Sequence, residues 1–262
     1  MTGTTHETQT ELYWEVRGSG RPLLLIAGTP GDGGQFDDLA RALASDHLVI
    51  TYDRRGTSRS AAASAPATVG EHADDAAKVL ADASVDQALV FGTSNGALVT
   101  LEVALRHPKR VVGAIMHEPP LLSVVRDPQP VADAMAAVIG GAMEWGGPRA
   151  ALDAFLRFAY GDATVDGWSE ELRRRMLSNA EMVFTVEMPA FQSYRPDADA
   201  LARCEIPAEL LVGEAQTMPF FREAAEWLAR NLRARVAAAP GAHCPQFSDP
   251  VALAAAIRRF PR

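Results

Sequence analysis

A serine stands between two glycines in Gly92-Thr93-Ser94-Asn95-Gly96, after the apolar run "ALVF" (88–91) and before the helix-like run "NGALVTLEVALRHP". A G-x-S-x-G turn from strand to helix is a nucleophile elbow, which lifts a serine hydroxyl to the top of a sheet. The glycines are needed because side chains at those two positions would collide with the neighbouring strand and helix. The helix N-terminus beside the serine favours negative charge, including a developing oxyanion. Such a serine is suited to attack on a carbonyl, provided that a base takes its proton.

Histidine suits that task near neutral pH. Of six histidines, His6 lies in the polar start, and His47, His72 and His107 are expected to serve solvation or capping. His117 is adjacent to a strand end and is expected to support the site rather than act in it. His243, in "PGAHCPQFSDP", falls on a loop between the last strand and the last helix. That is the carboxyl edge of the sheet, where α/β sites form. His243 is therefore the expected base. Asp249 in the same stretch is expected to cap the final helix, with Pro250 at its first position.

An acid must orient the base. The strand "ELLVGEAQT" is followed by Ala215, Gln216 and Thr217, none of which carries a negative charge. Glu118 in "VVGAIMHEPP" ends the strand that follows the serine's helix, and one crossover sets that strand beside the serine's own. Glu118 is the expected acid and Glu214 the alternative. For an oxyanion hole, the backbone N–H of Asn95 is one expected donor. The loop after "LLLIA" supplies the other; Pro30 has no N–H, which leaves Thr29.

These residues require a scaffold of alternating strands and helices, and residues 9–118 show that rhythm. "TELYWEV", "LLLIAG", "HLVITYD", "ALVFG" and "VVGAIMHEP" are predicted strands, and the continuous apolar runs suit strands covered on both faces. "GGQFDDLARALAS" and "TVGEHADDAAKVLADAS" are predicted helices, the second opened by Thr68 and Glu71 at capping-box spacing. From Pro119 to about Cys204 only helices are expected. They are "PVADAMAAVIGGAMEW", "GPRAALDAFLRFAYG", "SEELRRRMLSNAEMVF" and a shorter piece to Tyr194. The α/β rhythm returns with "AELLVGE", "PFFREAAEWLARNL", "RARVAAA" and "DPVALAAAIRRF". The expected fold is α/β, with a mainly parallel sheet flanked by helices. Its core domain spans 1–118 and 205–262, and a helical cap spans 119–204. "SAAASAPA" (60–67) reads as a small-residue loop.

The chain has 262 residues, 48% hydrophobic, with a net charge of −8 and only two lysines, Lys78 and Lys109. That balance argues against a nucleic-acid surface. No apolar run approaches the roughly 20 residues of a membrane span, and "MTGTTHETQT" does not read as a secretory leader. Cys204 and Cys244 form no metal-type pair. A cytoplasmic protein without structural disulfides is expected, as a monomer or homodimer.

The pieces "GTPG", "YDRRGTSRS", "GTSNGA", "RHPKRVVGAIMHEPP", "LLVGE" and "PGAHCPQFSDP" together resemble the α/β-hydrolase superfamily over essentially the whole chain. "MHEPP", with the elbow and the histidine piece, is similar to the branch holding fungal zearalenone lactonases and many actinobacterial hydrolases. That resemblance implies a glutamate acid after the sixth strand, at Glu118, and a helical cap inserted after it. It implies a serine hydrolase acting on a small apolar ester or lactone, with no cofactor or metal. The same residues also serve C–C bond hydrolysis, acyl transfer or perhydrolysis, and some members of the superfamily only bind ligands. Met143, Trp145, Phe158 and Trp168 in the cap are the expected pocket residues, chosen for size and position. Arg54, Arg55 and Arg59 are read as structural.

Overall fold

The structure, a computed structural model, describes residues 2–4, 11–60 and 67–261. His6 and most of the loop read at 60–67 lie outside the described residues.

Eight strands form one sheet: β1 (Thr2–Thr4), β2 (Tyr13–Arg17), β3 (Arg21–Ile26), β4 (His47–Tyr52), β5 (Ala88–Thr93), β6 (Val111–His117), β7 (Ala208–Gly213) and β8 (Arg235–Ala239). Their order is β1-β2-β4-β3-β5-β6-β7-β8. β1 and β2 pair antiparallel, and every pair from β4 to β8 is parallel. Parallel pairing requires crossovers, and helices supply them on both faces. α1 (Asp37–Leu43) and α12 (Pro250–Arg258) cover one face; α2 (Val69–Asp82), α3 (Asn95–Arg106) and α10 (Pro219–Leu232) cover the other.

The two-residue period of a strand explains how one apolar run serves both faces. In β3, Leu23 and Leu25 pack with Phe36, Leu39 and Ile257, while Leu24 and Ile26 pack with Val79, Leu98 and Leu228. All four leucine and isoleucine side chains of β3 are fully buried, each worth about 1.5–3 kcal/mol. α2 starts with the expected capping box: Glu71 N donates to Thr68 Oγ1 at 3.2 Å and Thr68 N to Glu71 Oε2 at 2.8 Å. Asp249 caps α12 through Ala252 N, at 2.9 Å.

Between β6 and β7 the chain forms helices only. They are α4 (Gln129–Tyr160), α5 (Asp162–Asp166), α6 (Glu170–Ser178), α7 (Ala180–Met182), a wider π-type turn (Val183–Glu187), α8 (Met188–Ser193) and α9 (Ala198–Arg203). α4 is two helices joined at Gly147, whose φ of +68° is open to glycine. Pro148 then begins the second half, because its missing N–H costs nothing at a helix start. The helix expected over 169–184 is corrected. It breaks at Asn179, whose side-chain amide binds core backbone instead of solvent. α9 and the short α11 (Pro245–Ser248) were not foreseen. No helix among the described residues is long and apolar enough to cross a membrane.

Candidate active site

β5 delivers Ser94 at its carboxyl end with φ +53° and ψ −129°, a conformation costing about 1–3 kcal/mol for a residue with a Cβ. Surrounding hydrogen bonds hold it there. Ser94 N donates to His117 O at 2.9 Å, and Ala97 N donates to Ser94 O at 2.8 Å. A Cβ on Gly92 would overlap Gly96 O and Thr100 Oγ1, and one on Gly96 would overlap Ile26 O. The two glycines therefore let strand, turn and helix close around the serine. Asn95 occupies the first position of α3, where a backbone N–H has no carbonyl partner within the helix.

The register of β5 on β6 pairs Thr93 with His117. The next residues, Ser94 and Glu118, thus leave the sheet side by side. Glu118 also has a positive φ, +47°, and is fully buried. Its N donates to Leu211 O at 2.9 Å. One carboxylate oxygen accepts from Gly213 N at 2.9 Å; the other accepts from Gln216 Nε2 and lies 2.6 Å from both that nitrogen and His243 Nδ1. Burial alone would raise the Glu118 carboxyl. The His243 hydrogen bond, the nearby His117 ring and the Gly213 N–H outweigh it, and the pKa falls to about 2. Gln216, on the segment where a second acid was sought, thus supports Glu118. Glu214 is exposed and stands apart from this network.

His243 follows β8 on the loop before α11 and is 4% exposed. Phe221 stacks on its ring at 4.5 Å, and His117 stacks at 6.2 Å. With Nδ1 committed to Glu118, Nε2 is the ring's free nitrogen. His243 and Ser94 line one cavity. No hydrogen bond joins the two among the described residues; in free enzymes such contacts are commonly long and tighten with substrate. His117 donates to, or accepts from, Thr93 Oγ1 at 2.9 Å, and burial lowers its pKa to about 4. His72 corrects an expectation: it is fully buried and stacked on Phe191 at 5.6 Å, not solvated. His47 is buried beside Asp46, and His107 contacts Asp74 at 2.7 Å.

Thr29 sits across from Ser94, on the loop after β3. Its hydroxyl accepts from Asn95 Nδ2 at 2.8 Å, and its carbonyl accepts from Tyr160 OH at 2.7 Å. Both bonds hold Thr29 in place beside the serine. The helical insertion grips this loop. Arg175 Nε lies 2.9 Å from Asp32 Oδ2, and Asn179 Nδ2 donates to Pro30 O at 3.2 Å. Arg54, fully buried, donates to Ala27 O at 2.7 Å and pairs with the equally buried Glu187.

The cavity above Ser94 measures about 120 Å³. Leu121, Met135, Phe155, Met188 and Phe191 contribute apolar surface from the insertion, and Phe220 and Phe221 from α10. No Lys, Arg, Asp or Glu lines it among the described residues. Of the four expected pocket residues, Phe158 lines the cavity. Trp145 does not: it is 78% exposed, on the solvent side of α4 just before the Gly147 break. Trp168 is corrected too, since it packs under the site against Tyr160 (5.9 Å) and Phe247 (5.4 Å). Met143 is half-buried on α4 and also lies outside the lining. Phe220 and Phe221 were missed. Their signal was the "MPFF" run directly after a carboxyl-edge strand end.

Residues 21–159 match the family model described as alpha/beta hydrolase fold. The chain is 42% identical over 125 residues to the uncharacterized hydrolase YraK of Bacillus subtilis (strain 168), covering 47% of this chain and 46% of that protein. The match thus spans a little under half of that relative's length. A longer likeness, 29% identity over 215 residues, covers 79% of this chain and 76% of a Variovorax paradoxus (strain S110) protein provisionally named carbamate hydrolase RutD. Among solved structures, a thermophilic esterase from Thermogutta terrifontis superposes with a TM-score of 0.77 at 22% identity, covering 99% of this chain and 97% of that one.

Proposed function

We propose, on the premise that this chain belongs to the α/β-hydrolase family, that it is a serine hydrolase of carboxylic esters or lactones. The observation that carries this is the Glu118–His243 hydrogen bond, with His243 lining the cavity that Ser94 also lines. Ser94 Oγ attacks the carbonyl carbon while His243 Nε2 takes its proton. The Thr29 and Asn95 amides hold the oxyanion. The imidazolium, stabilised by the Glu118 carboxylate, then protonates the leaving alcohol oxygen as the acyl C–O bond breaks. Water, deprotonated by His243, releases the acid and restores Ser94.

The apolar lining favours an uncharged, compact apolar substrate. A glutamate after β6 supports the zearalenone-lactonase branch within the family. Residues 119–204 act as the cap, and 1–118 with 205–262 as the core domain. A second reading, carbamate cleavage, draws on the named Variovorax relative. The same attack would serve, but among the described residues no cationic side chain lines the cavity to hold an anionic carbamate.

The test is covalent labelling of Ser94 by a fluorophosphonate, with a panel of esters, lactones and carbamates and Ser94→Ala as control. Ser94→Ala or His243→Ala retaining more than about a tenth of activity rejects the mechanism, since loss of either partner removes the general-base route. Glu118→Gln should lower kcat by about 10⁴, whereas the exposed Glu214→Gln should cost less than about threefold. The reverse outcome moves the acid to β7.

A further inference from the structure

Part of the cavity wall is backed by packed protein. Phe191, for example, presses on His72 at 5.6 Å and lies under the Arg54 guanidinium at 5.2 Å. One stretch of wall is different. Val131, Phe158, Met218 and Phe220 line the Ser94 cavity and also a second hollow of about 670 Å³. That hollow lies between the first half of α4 and the start of α10. Its far side is polar, with Arg126, Asp127, Glu223, Glu226 and Arg230. The four shared residues are all apolar, and Phe158 is 36% exposed.

We infer that Val131, Phe158, Met218 and Phe220 form a thin partition that fixes the longest apolar group the Ser94 cavity accepts. The outer hollow is the extension that longer groups enter once the partition is thinned. This deepens the ester and lactone reading and rests on it. An apolar cavity gains from each added methylene that finds room, by about three- to fourfold in kcat/KM. The gain stops where the chain meets a wall. Behind an ordinary wall, trimming a side chain makes a void in packed protein and destabilises the fold. Behind this wall, trimming opens a channel into an existing hollow. The contrast between Phe158 and Phe191 therefore identifies the partition.

Phe158 is the cleaner position to vary. The Phe220 ring lies tilted against Phe221 at 4.0 Å, and Phe221 stacks on His243, so changes at Phe220 also disturb the base. The experiment measures kcat/KM for 4-nitrophenyl alkanoates from acetate to dodecanoate in the wild type, Phe158→Ala, Val131→Ala, Phe158→Trp and Phe191→Ala. In parallel, fluorophosphonates with alkyl chains of graded length are reacted with each protein, and Ser94 labelling rates are read by intact mass. The wild type should show an optimum length. Phe158→Ala should raise the decanoate-to-butyrate ratio by about tenfold or more, the discrimination that one to two methylenes of room supply. Val131→Ala should raise it less, and Phe158→Trp should lower it. Phe191→Ala should lower thermal stability and raise the ratio less than Phe158→Ala does.

A ratio that stays within about twofold in both Phe158→Ala and Val131→Ala overturns the partition, as does an equal shift in Phe191→Ala. If the esters are not turned over, the labelling rates carry the same comparison. Failure of even the shortest probe to label wild-type Ser94 is a separate outcome; it overturns the serine-hydrolase reading itself, and the partition with it.

Discussion

Between Arg175 and Glu187 the helical insertion meets the core through ionised and amide groups, whereas between Gln129 and Gly146 it turns an apolar helix partly to solvent. The first region is tied by Arg175 to Asp32, by Asn179 to Pro30 and Ser58, and by Glu187 to Arg54. In the second, Trp145 is 78% exposed, and a Cβ on Gly140 or Gly141 would meet nothing within 4 Å. Its hydrogen bond from Gln129 Nε2 to Asp133 Oδ1 is local. The ties of the first region converge on the loop that carries Thr29. The second region supplies only wall, through Val131 and Met135. One inserted segment thus makes two kinds of contact: one end grips the loop that carries Thr29, and the other borders the cavity above Ser94.

The contrast breaks most severely at Glu187. Glu187→Ala leaves the Arg54 guanidinium buried without its partner, and such a loss costs about 3–5 kcal/mol. Urea unfolding should show it, and a double Arg54→Met, Glu187→Leu variant should recover much of the loss because no buried charge remains.

Acid should weaken the core edge before it touches the exposed half of α4. His117 has a folded pKa of about 4, below its ordinary 6.5. Its contribution is present above pH 6.5 and is lost as the pH falls towards 4, because the unfolded chain binds the proton first. His72, held well below 6.5 by burial, acts with the same sign. Glu118, lowered from 4.5 to about 2, adds a second loss between pH 4.5 and 2. Urea midpoints at pH 7, 5 and 3.5 should fall in that order. A midpoint unchanged from pH 7 to 4.5 would contradict these burials.

Asn179→Ala removes the amide bonds to Ser58 N, Ser58 Oγ and Pro30 O. Leaving those core groups unpaired costs about 1–3 kcal/mol. The loosened Thr29 loop should lower kcat more than it changes KM. A normal kcat in a destabilised Asn179→Ala protein would show that the grip is only structural. The smallest effect is expected at Trp145. Trp145→Ser should alter stability by less than about 0.5 kcal/mol and leave the ester profile unchanged.

What was legible in the sequence was mostly local. The Gly92–Gly96 turn, the Thr68–Glu71 box and the Asp249 cap each depend on residues within four positions of one another. Glu118 beside His243 was legible for another reason: strand order follows from right-handed crossovers, so strand ends can be placed without side-chain detail. The ties from Asn179 and Glu187 span more than a hundred residues and leave no periodic trace. A polar residue at a helix break looks like a solvated one. The misplaced tryptophans have the same cause. Size and apolarity show that a residue wants cover, but not whether cavity, core or nothing covers it. His72 failed in the opposite sense, because a histidine on a helix face gives no sign that an aromatic ring from a distant helix will stack on it.

Ser94 and Glu118 leave the sheet on the two strands of a single crossover, β5–α3–β6, whereas His243 comes from the loop after β8. A ribosome making this chain completes the serine and the glutamate, and then the whole insertion, before the histidine emerges. Through nearly half of synthesis the nascent protein carries the proposed nucleophile and its acid without a base between them. On the proposed mechanism, a message broken anywhere in that interval encodes a chain with no base for Ser94.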